Sequence, residues 1–307
     1  MNLFFRRCAG LAALVLCILI ALSPASHAGE MDLDHPATGG EKSDLAGSAV
    51  SPVETIFLPV SDLFRPLLAD PKEPHFYLSY HYYVYQSQSI NAAAGGYGEV
   101  FGIKRYIDRA DGSAWQMNFG GGIHAQFNLD MPSRALVNAD YTIGFPASYR
   151  KGPVSMRIAL YHQSSHLGDE YMIQTKTNRM EFSYEALNVI WSREWREWRV
   201  YGGGEYMIHK VPSELLPWGA QGGIEYYGTN PVLGSGRLVG GLDLKIDQEH
   251  DWAVNGSLKT GLQYDSSEHN GRYIRVLVEG YKGYSPHGQF YFNRMSYLGI
   301  GIALGFD

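Results

Sequence analysis

Between residues 236 and 265 the chain alternates apolar and polar residues almost without a break. Leu238, Gly240, Leu242, Leu244 and Ile246 share one parity, while Val239, Gly241, Asp243, Lys245 and Asp247 share the other. The next segment repeats this, with Val254, Gly256, Leu258, Thr260, Leu262 and Tyr264 set against Ala253, Asn255, Ser257, Lys259, Gly261 and Gln263. Period two is the spacing at which successive side chains point to opposite faces of a strand. Such segments are 11 to 15 residues long here. Strands of globular sheets usually run about 5 to 6 residues, and a tilted membrane-spanning strand needs about 9 to 11. Charge placement points the same way, since Arg157, Glu205, Glu225, Asp243, Lys245, Lys259, Arg275 and Glu279 fall mid-segment on the polar parity. A dry core would not hold so many charges, whereas a wet lumen does. The pattern predicts an all-β fold, a transmembrane antiparallel β-barrel of about twelve strands.

Twelve segments carry the pattern: about 76–86, 96–107, 114–128, 134–147, 153–164, 179–192, 197–209, 217–228, 236–248, 252–265, 272–283 and 294–306. The last, in which Leu298, Ile300, Ile302, Leu304 and Phe306 alternate with small residues, resembles the terminal recognition strand of bacterial outer-membrane barrels. That resemblance implies the barrel-assembly machinery as a partner during biogenesis. Trp115, Trp191, Trp198, Trp218 and Trp252 sit near segment ends, where interfacial girdles form. An even strand number puts both barrel termini on the periplasmic side.

Ahead of the barrel, residues 1–28 read as a cleaved secretory signal, with Arg6 and Arg7 before an apolar core and Ser26-His27-Ala28 as the cleavage site. Both cysteines, Cys8 and Cys17, would leave with it, so the secreted chain has no disulfide, thiolate metal site or cysteine nucleophile. The 25 basic residues fall to 23 without Arg6 and Arg7, against 31 acidic ones, a net charge of −8. Nucleic acid is not expected as a partner. Residues 29–74 form a flexible periplasmic segment whose later part, rich in Phe, Leu and Pro, is a short helix or an ordered plug; residues 75–307 form the barrel.

The fifth segment holds the most informative local sequence, Tyr161-His162-Gln163-Ser164-Ser165-His166. Val154, Met156, Ile158 and Leu160 set its apolar face, and His162 and Ser164 continue the same parity. Two residues on one strand face lie about 6.6 Å apart at Cα, within reach of an imidazole-to-hydroxyl hydrogen bond. A lipid-facing histidine and serine near the extracellular end would meet acyl esters of the outer leaflet. His162-Gln163-Ser164 resembles the His-Gln-Ser of the outer-membrane phospholipase A family, and the lipid A deacylase barrels carry a similar His-x-Ser. The resemblance implies Ser164 as nucleophile and His162 as general base. It also implies an asparagine on the next strand, for which Asn178 is the positional candidate, in the even register of Met180, Phe182 and Tyr184; Glu181 is the weaker alternative. The phospholipases continue with Asn and Gly where this chain has Ser165 and His166. Asp169 and Glu170 are candidate calcium ligands, and His162, His166, Asp169 and Glu170 together are a mixed-ligand metal alternative without a recognised spacing.

A broader resemblance, carried by Phe57-Leu58-Pro59, by 63–71 and by 164–171, is to a bacterial envelope family catalogued only as a domain of unknown function. It implies no activity. Polar residues beginning where a strand leaves the membrane, with 165–178 as an exposed loop, account for the same letters. Gly120-Gly121-Gly122 and Gly202-Gly203-Gly204 lie inside strands with no helix after them, so barrel curvature explains them better than phosphate binding. His124 and His209 are read as lumen-facing. Three functions stay open: a lipid acyl hydrolase, a narrow channel or transporter, and a non-catalytic structural barrel. Each places the protein among outer-membrane lipids.

Overall fold

The computed structural model describes residues 53–85, 88–267 and 271–306; the signal 1–28 and the tail up to residue 52 lie outside the described residues. Thirteen strands follow one another: β1 (Val53–Phe57), β2 (Phe76–Tyr85), β3 (Gln88–Asp108), β4 (Ser113–Asn128), β5 (Leu136–Lys151), β6 (Val154–Leu167) and β7 (Phe182–Trp195). They continue as β8 (Trp198–Val211), β9 (Trp218–Leu233), β10 (Gly236–Asp247), β11 (Asn255–Asp265), β12 (Arg272–Tyr284) and β13 (Arg294–Phe306). Strands β2 to β13 pair antiparallel with their chain neighbours, and β13 pairs with β2, which closes a twelve-stranded barrel. Closure gives each of the twelve strands a partner on both sides, which satisfies the backbone in lipid over the paired residues.

The twelve expected segments become these twelve strands. The largest boundary difference is at β3, which starts at Gln88 rather than near residue 96 and runs for 21 residues. Ala92-Ala93-Ala94-Gly95-Gly96 offers no apolar contrast, so the alternation there is silent. Because β2 pairs with β3 only over residues 88–96, the lower edge of β3 is left over. Strand β1 takes that edge, from Val53 opposite Asp108 to Phe57 opposite Lys104.

The two barrel ends differ. At one, three hairpins turn on two residues each, Gly152-Pro153, Arg196-Glu197 and Gly234-Ser235. Gly152 (φ 54°) and Gly234 (φ 59°) supply the left-handed backbone such turns require. At the other, the long-loop end, the connections are 129–135, 168–181, 212–217, 248–254 and 285–293.

Outside, Leu78, Tyr97, Leu242, Ile300 and Leu304 belong to a broad band of exposed apolar side chains. Exposed tryptophans flank it, with Trp115, Trp191, Trp195 and Trp198 toward the short-turn end and Trp218 and Trp252 at the other. An apolar outer band with aromatic rims and a charged interior is the signature of a membrane-spanning barrel.

Residues 58–75 are irregular chain without a helix, with Leu58 and Val60 exposed and the later part inside the lumen. Phe64, Leu67, Leu68 and Ala69 are buried. The ring of Phe64 lies between the guanidinium groups of Arg157 (4.8 Å) and Arg199 (4.5 Å). Glu73 receives both Arg157 Nη1 (2.5 Å) and Nη2 (3.0 Å), and Asp70 pairs with Lys245 Nζ (2.7 Å). Burial alone would raise the Asp70 carboxyl, but Lys245 outweighs it and holds the group below the usual carboxylate range. The Leu68 amide donates to Glu225 Oε1 (2.6 Å), and Lys72 pairs with the buried Asp140. Wall charges that would be costly alone are thus matched by this segment, and removing one partner of such a pair costs about 3–5 kcal/mol.

Candidate functional site

Strand β6 separates two polar clusters by parity. Its even residues follow Met156, Ile158 and Leu160 outward, and its odd residues Ser155, Arg157, Tyr161, Gln163 and Ser165 face the lumen. His162 pairs across the sheet with Ile143 on β5 and Glu185 on β7, and Ser164 with Tyr141 and Ser183. Ile143 and Tyr141 are 38% and 42% exposed, so this is the outer face. His162 and Ser164 themselves are only 8% exposed, recessed among these neighbours.

Glu185 fixes the imidazole. Its Oε1 lies 2.8 Å from His162 Nδ1 and its Oε2 lies 2.9 Å from His209 Nδ1. A carboxylate accepting from Nδ1–H selects the tautomer with a lone pair on Nε2, the arrangement a general base needs. Ser164, one strand period beyond His162, makes no side-chain hydrogen bond among the described residues. Beyond it on the same face stands His166, whose Nδ1 is 2.6 Å from Arg179 Nη2.

Asn178 is not brought to this group. It is exposed on the connection between α1 (Asp169–Thr175) and β7, as is Glu181. The even register that places Asn178 on the outer face would turn Phe182 and Tyr184 to lipid as well. Both turn inward: Phe182 is 8% exposed, and Tyr184 packs edge-on against the lumen residue Tyr161 (6.0 Å). The outer face of β7 is marked by Leu187, Val189 and Trp191, and Glu185 shares their parity. A lone carboxylate on the parity of Leu187, Val189 and Trp191 is the signal that would have found it. His209 also changes sides, because a bulge between Glu185 and Ala186 shifts the β7–β8 register and brings it out to Glu185. His124 does face the lumen, 1% exposed beside Tyr77 Oη (3.3 Å).

Of the stretch 165–178 read as an exposed loop, only the first three residues differ, being strand. Strand β6 continues to Leu167, and Ser165 is buried. Asp169 and Glu170 form the exposed first turn of the seven-residue helix α1. Calcium takes about six to eight oxygen ligands, and no group of three or more His, Cys, Asp or Glu suited to a metal occurs among the described residues. Asp169 and Glu170 belong to no such group among the described residues.

The inner cluster centres on Ser165 and Asp140. Ser165 Oγ donates to Asp140, which also takes Asn138 Nδ2 (2.9 Å), Lys72 and the Gly288 amide (3.3 Å). The Gln289 amide donates to Ser165 Oγ (3.0 Å), which ties loop 285–293 to the wall. His287, beside Asp140, is lowered to about 4 by burial and then by the Lys72 charge.

The fold has counterparts among solved barrels. The outer membrane phospholipase of Salmonella typhi, solved as a dimer with bound calcium, superposes with a TM-score of 0.54 at 15% identity over 80% of this chain and 94% of that one. The outer membrane phospholipase A of Escherichia coli gives 0.53 at 14% identity over 80% and 95%. At these identities the likeness is one of fold. No curated protein sequence matches the chain. The family model described as "Protein of unknown function (DUF1207)" matches residues 25–306, and the chain belongs to that family.

Proposed function

We propose that this barrel lies in a bacterial outer membrane, reached by secretion and barrel assembly, and hydrolyses acyl esters of lipids in the outer leaflet. The observation that carries the reading is the His162–Glu185 pair (2.8 Å) on the outer face, one strand period from Ser164. With the long loops outward, this face meets the upper part of the outer leaflet. Ser164 Oγ attacks the ester carbonyl carbon while its proton passes to His162 Nε2. His162 then returns that proton to the departing alcohol oxygen, leaving an acyl-serine that water hydrolyses to the free fatty acid. Glu185 orients the ring and stabilises the imidazolium formed in between, the part that the phospholipase resemblance gave to Asn178. The fold likeness to two outer membrane phospholipases supports a lipid as the substrate class. A channel reading has against it the segment 58–75, ion-paired across the lumen.

The test is fatty-acid release from phospholipid and from lipid A in mixed micelles by the refolded barrel, with and without calcium. Release by the wild type that Ser164→Ala and His162→Ala abolish is expected. Equal release by wild type and Ser164→Ala would remove the proposal.

A further inference from the structure

Arg179 stands beside the outer-face cluster, exposed on the connection between α1 and β7, and its surroundings set it apart from an ordinary surface arginine. Its Nη2 lies 2.6 Å from His166 Nδ1. A guanidinium only donates, so the imidazole nitrogen is the acceptor and the ring is neutral, with its proton on Nε2. His166 therefore holds the cation without cancelling its charge. Among the described residues no carboxylate pairs with Arg179, and its Nε and Nη1 make no hydrogen bond. The following residue is fastened from inside the barrel. The Met180 amide donates to Gln289 Oε1 (3.2 Å), and Gln289 Nε2 donates back to the Met180 carbonyl oxygen (2.8 Å). Gln289 is itself buried and bound to Ser165 through both its backbone amide and its side chain. On the wall, the ring of Tyr141 meets His166 edge-on (5.6 Å).

From these contacts we infer that Arg179 binds a phosphate group of the lipid whose ester Ser164 attacks, with His166 and Gln289 as positioning residues. Three features choose a phosphate. The first is charge, since a guanidinium paired only with a neutral imidazole still attracts an anion. The second is shape. The bond to His166 uses a single N–H, which leaves one edge of the guanidinium with both donors free, and that fork matches two phosphate oxygens. The third is direction. His166 follows Ser164 by two residues on one strand face, so their Cα atoms lie about 6.6 Å apart, and the step from Ser164 to His166 runs toward the long-loop end. With the long loops outward, a lipid of the outer leaflet carries its phosphate on that same side of its acyl esters. A neutral or purely cationic headgroup would leave the Arg179 charge unmatched.

The inference rests on the hydrolase reading, and two readouts keep the failure of one distinct from the failure of the other. With the refolded barrel in micelles of an uncharged detergent, kcat/KM is measured for phosphatidylglycerol, for diacylglycerol of the same chains, and for lipid A with and without its phosphates. Heat-modifiable migration confirms that each variant is folded. The ratio of phosphorylated to phosphate-free ester should exceed ten for one of the two lipid classes, which names the source, and fall at least tenfold in Arg179→Gln. His166→Leu should lower the same ratio by raising KM for the phosphorylated ester, a split that a loss of folding would not produce. Arg294→Gln, at another exposed arginine of the long-loop end, should leave the ratio unchanged. Native mass spectrometry of the Ser164→Ala barrel then counts retained lipid. The phosphorylated lipid should be retained at least threefold more than its phosphate-free counterpart, and adding Arg179→Gln should remove that preference. Retention of this kind without acyl release would sink the hydrolase reading and leave the phosphate site standing. Ratios near one for both lipid classes, a fall in Arg179→Gln no larger than in Arg294→Gln, or no retention preference would overturn the phosphate assignment.

Discussion

Ser164 and Ser165 are adjacent in sequence and opposite in environment. The inward Ser165 donates to Asp140 and accepts from the Gln289 amide, in a network that also reaches Lys72, Asn138 and His287. The outward Ser164 makes no side-chain hydrogen bond among the described residues, while the histidine two residues before it is held by a carboxylate. Both clusters contain serine, histidine and an acid. What differs is saturation: the inner hydroxyl donates to Asp140, accepts from the Gln289 amide and so fastens loop 285–293, and the outer one makes no such bond among the described residues. A hydroxyl engaged on both sides stabilises structure, and one left open beside a polarised imidazole is placed for attack.

The contrast breaks most sharply under two single substitutions. Ser164→Ala should lower acyl release at least about 1,000-fold with little change in melting temperature. Ser165→Ala should leave turnover within a few-fold while costing about 1–3 kcal/mol, since Asp140 and the Gln289 amide each lose a partner; urea unfolding and fatty-acid titration together read both. Next in size is Glu185→Gln, which keeps the shape but offers His162 an amide. It should reduce kcat by about 10- to 1,000-fold with KM nearly unchanged, and a comparable loss in Asn178→Ala would shift the orienting role back to that residue.

The lumen side sharpens in a different way. Deleting residues 53–75 should convert a barrel silent in planar bilayers into a conducting one, and Glu73→Gln, which strands Arg157, should lower stability by about 3–5 kcal/mol without opening it. The smallest effect concerns pH. His287 titrates at about 4 in the folded barrel, against an ordinary value of 6.5. The unfolded chain therefore binds the extra proton first on acidification. This contribution to stability is complete above pH 6.5 and is lost as pH falls toward 4. Melting temperatures between pH 7 and 4 should fall less steeply in His287→Asn than in the wild type.

How much of this was legible in the sequence depended on local contrast. β10 and β11 announce themselves because Leu and charged residues strictly alternate, and the outward parity of His162 and Ser164 follows from the apolar run Val154 to Leu160. Where contrast fails, so does the reading. The Ala- and Gly-rich start of β3 is silent, and β1 becomes a strand only because β2 leaves part of the β3 edge unpaired, a fact of tertiary structure. On β7, Phe182 and Tyr184 look like lipid-facing aromatics yet fill a wet lumen, and that parity error hid Glu185 behind Asn178. A single bulge, which no alternation pattern reveals, carried His209 across the wall.

Reactivity of the hydroxyl itself is the most direct test. The refolded barrel is treated with a long-chain alkyl sulfonyl fluoride, digested, and mapped by mass spectrometry. The sulfonyl adduct should sit on Ser164, disappear in His162→Ala, and be absent from Ser165. Labelling of neither serine, or labelling of Ser164 that is unaffected by loss of His162, would contradict an activated serine on the outer face.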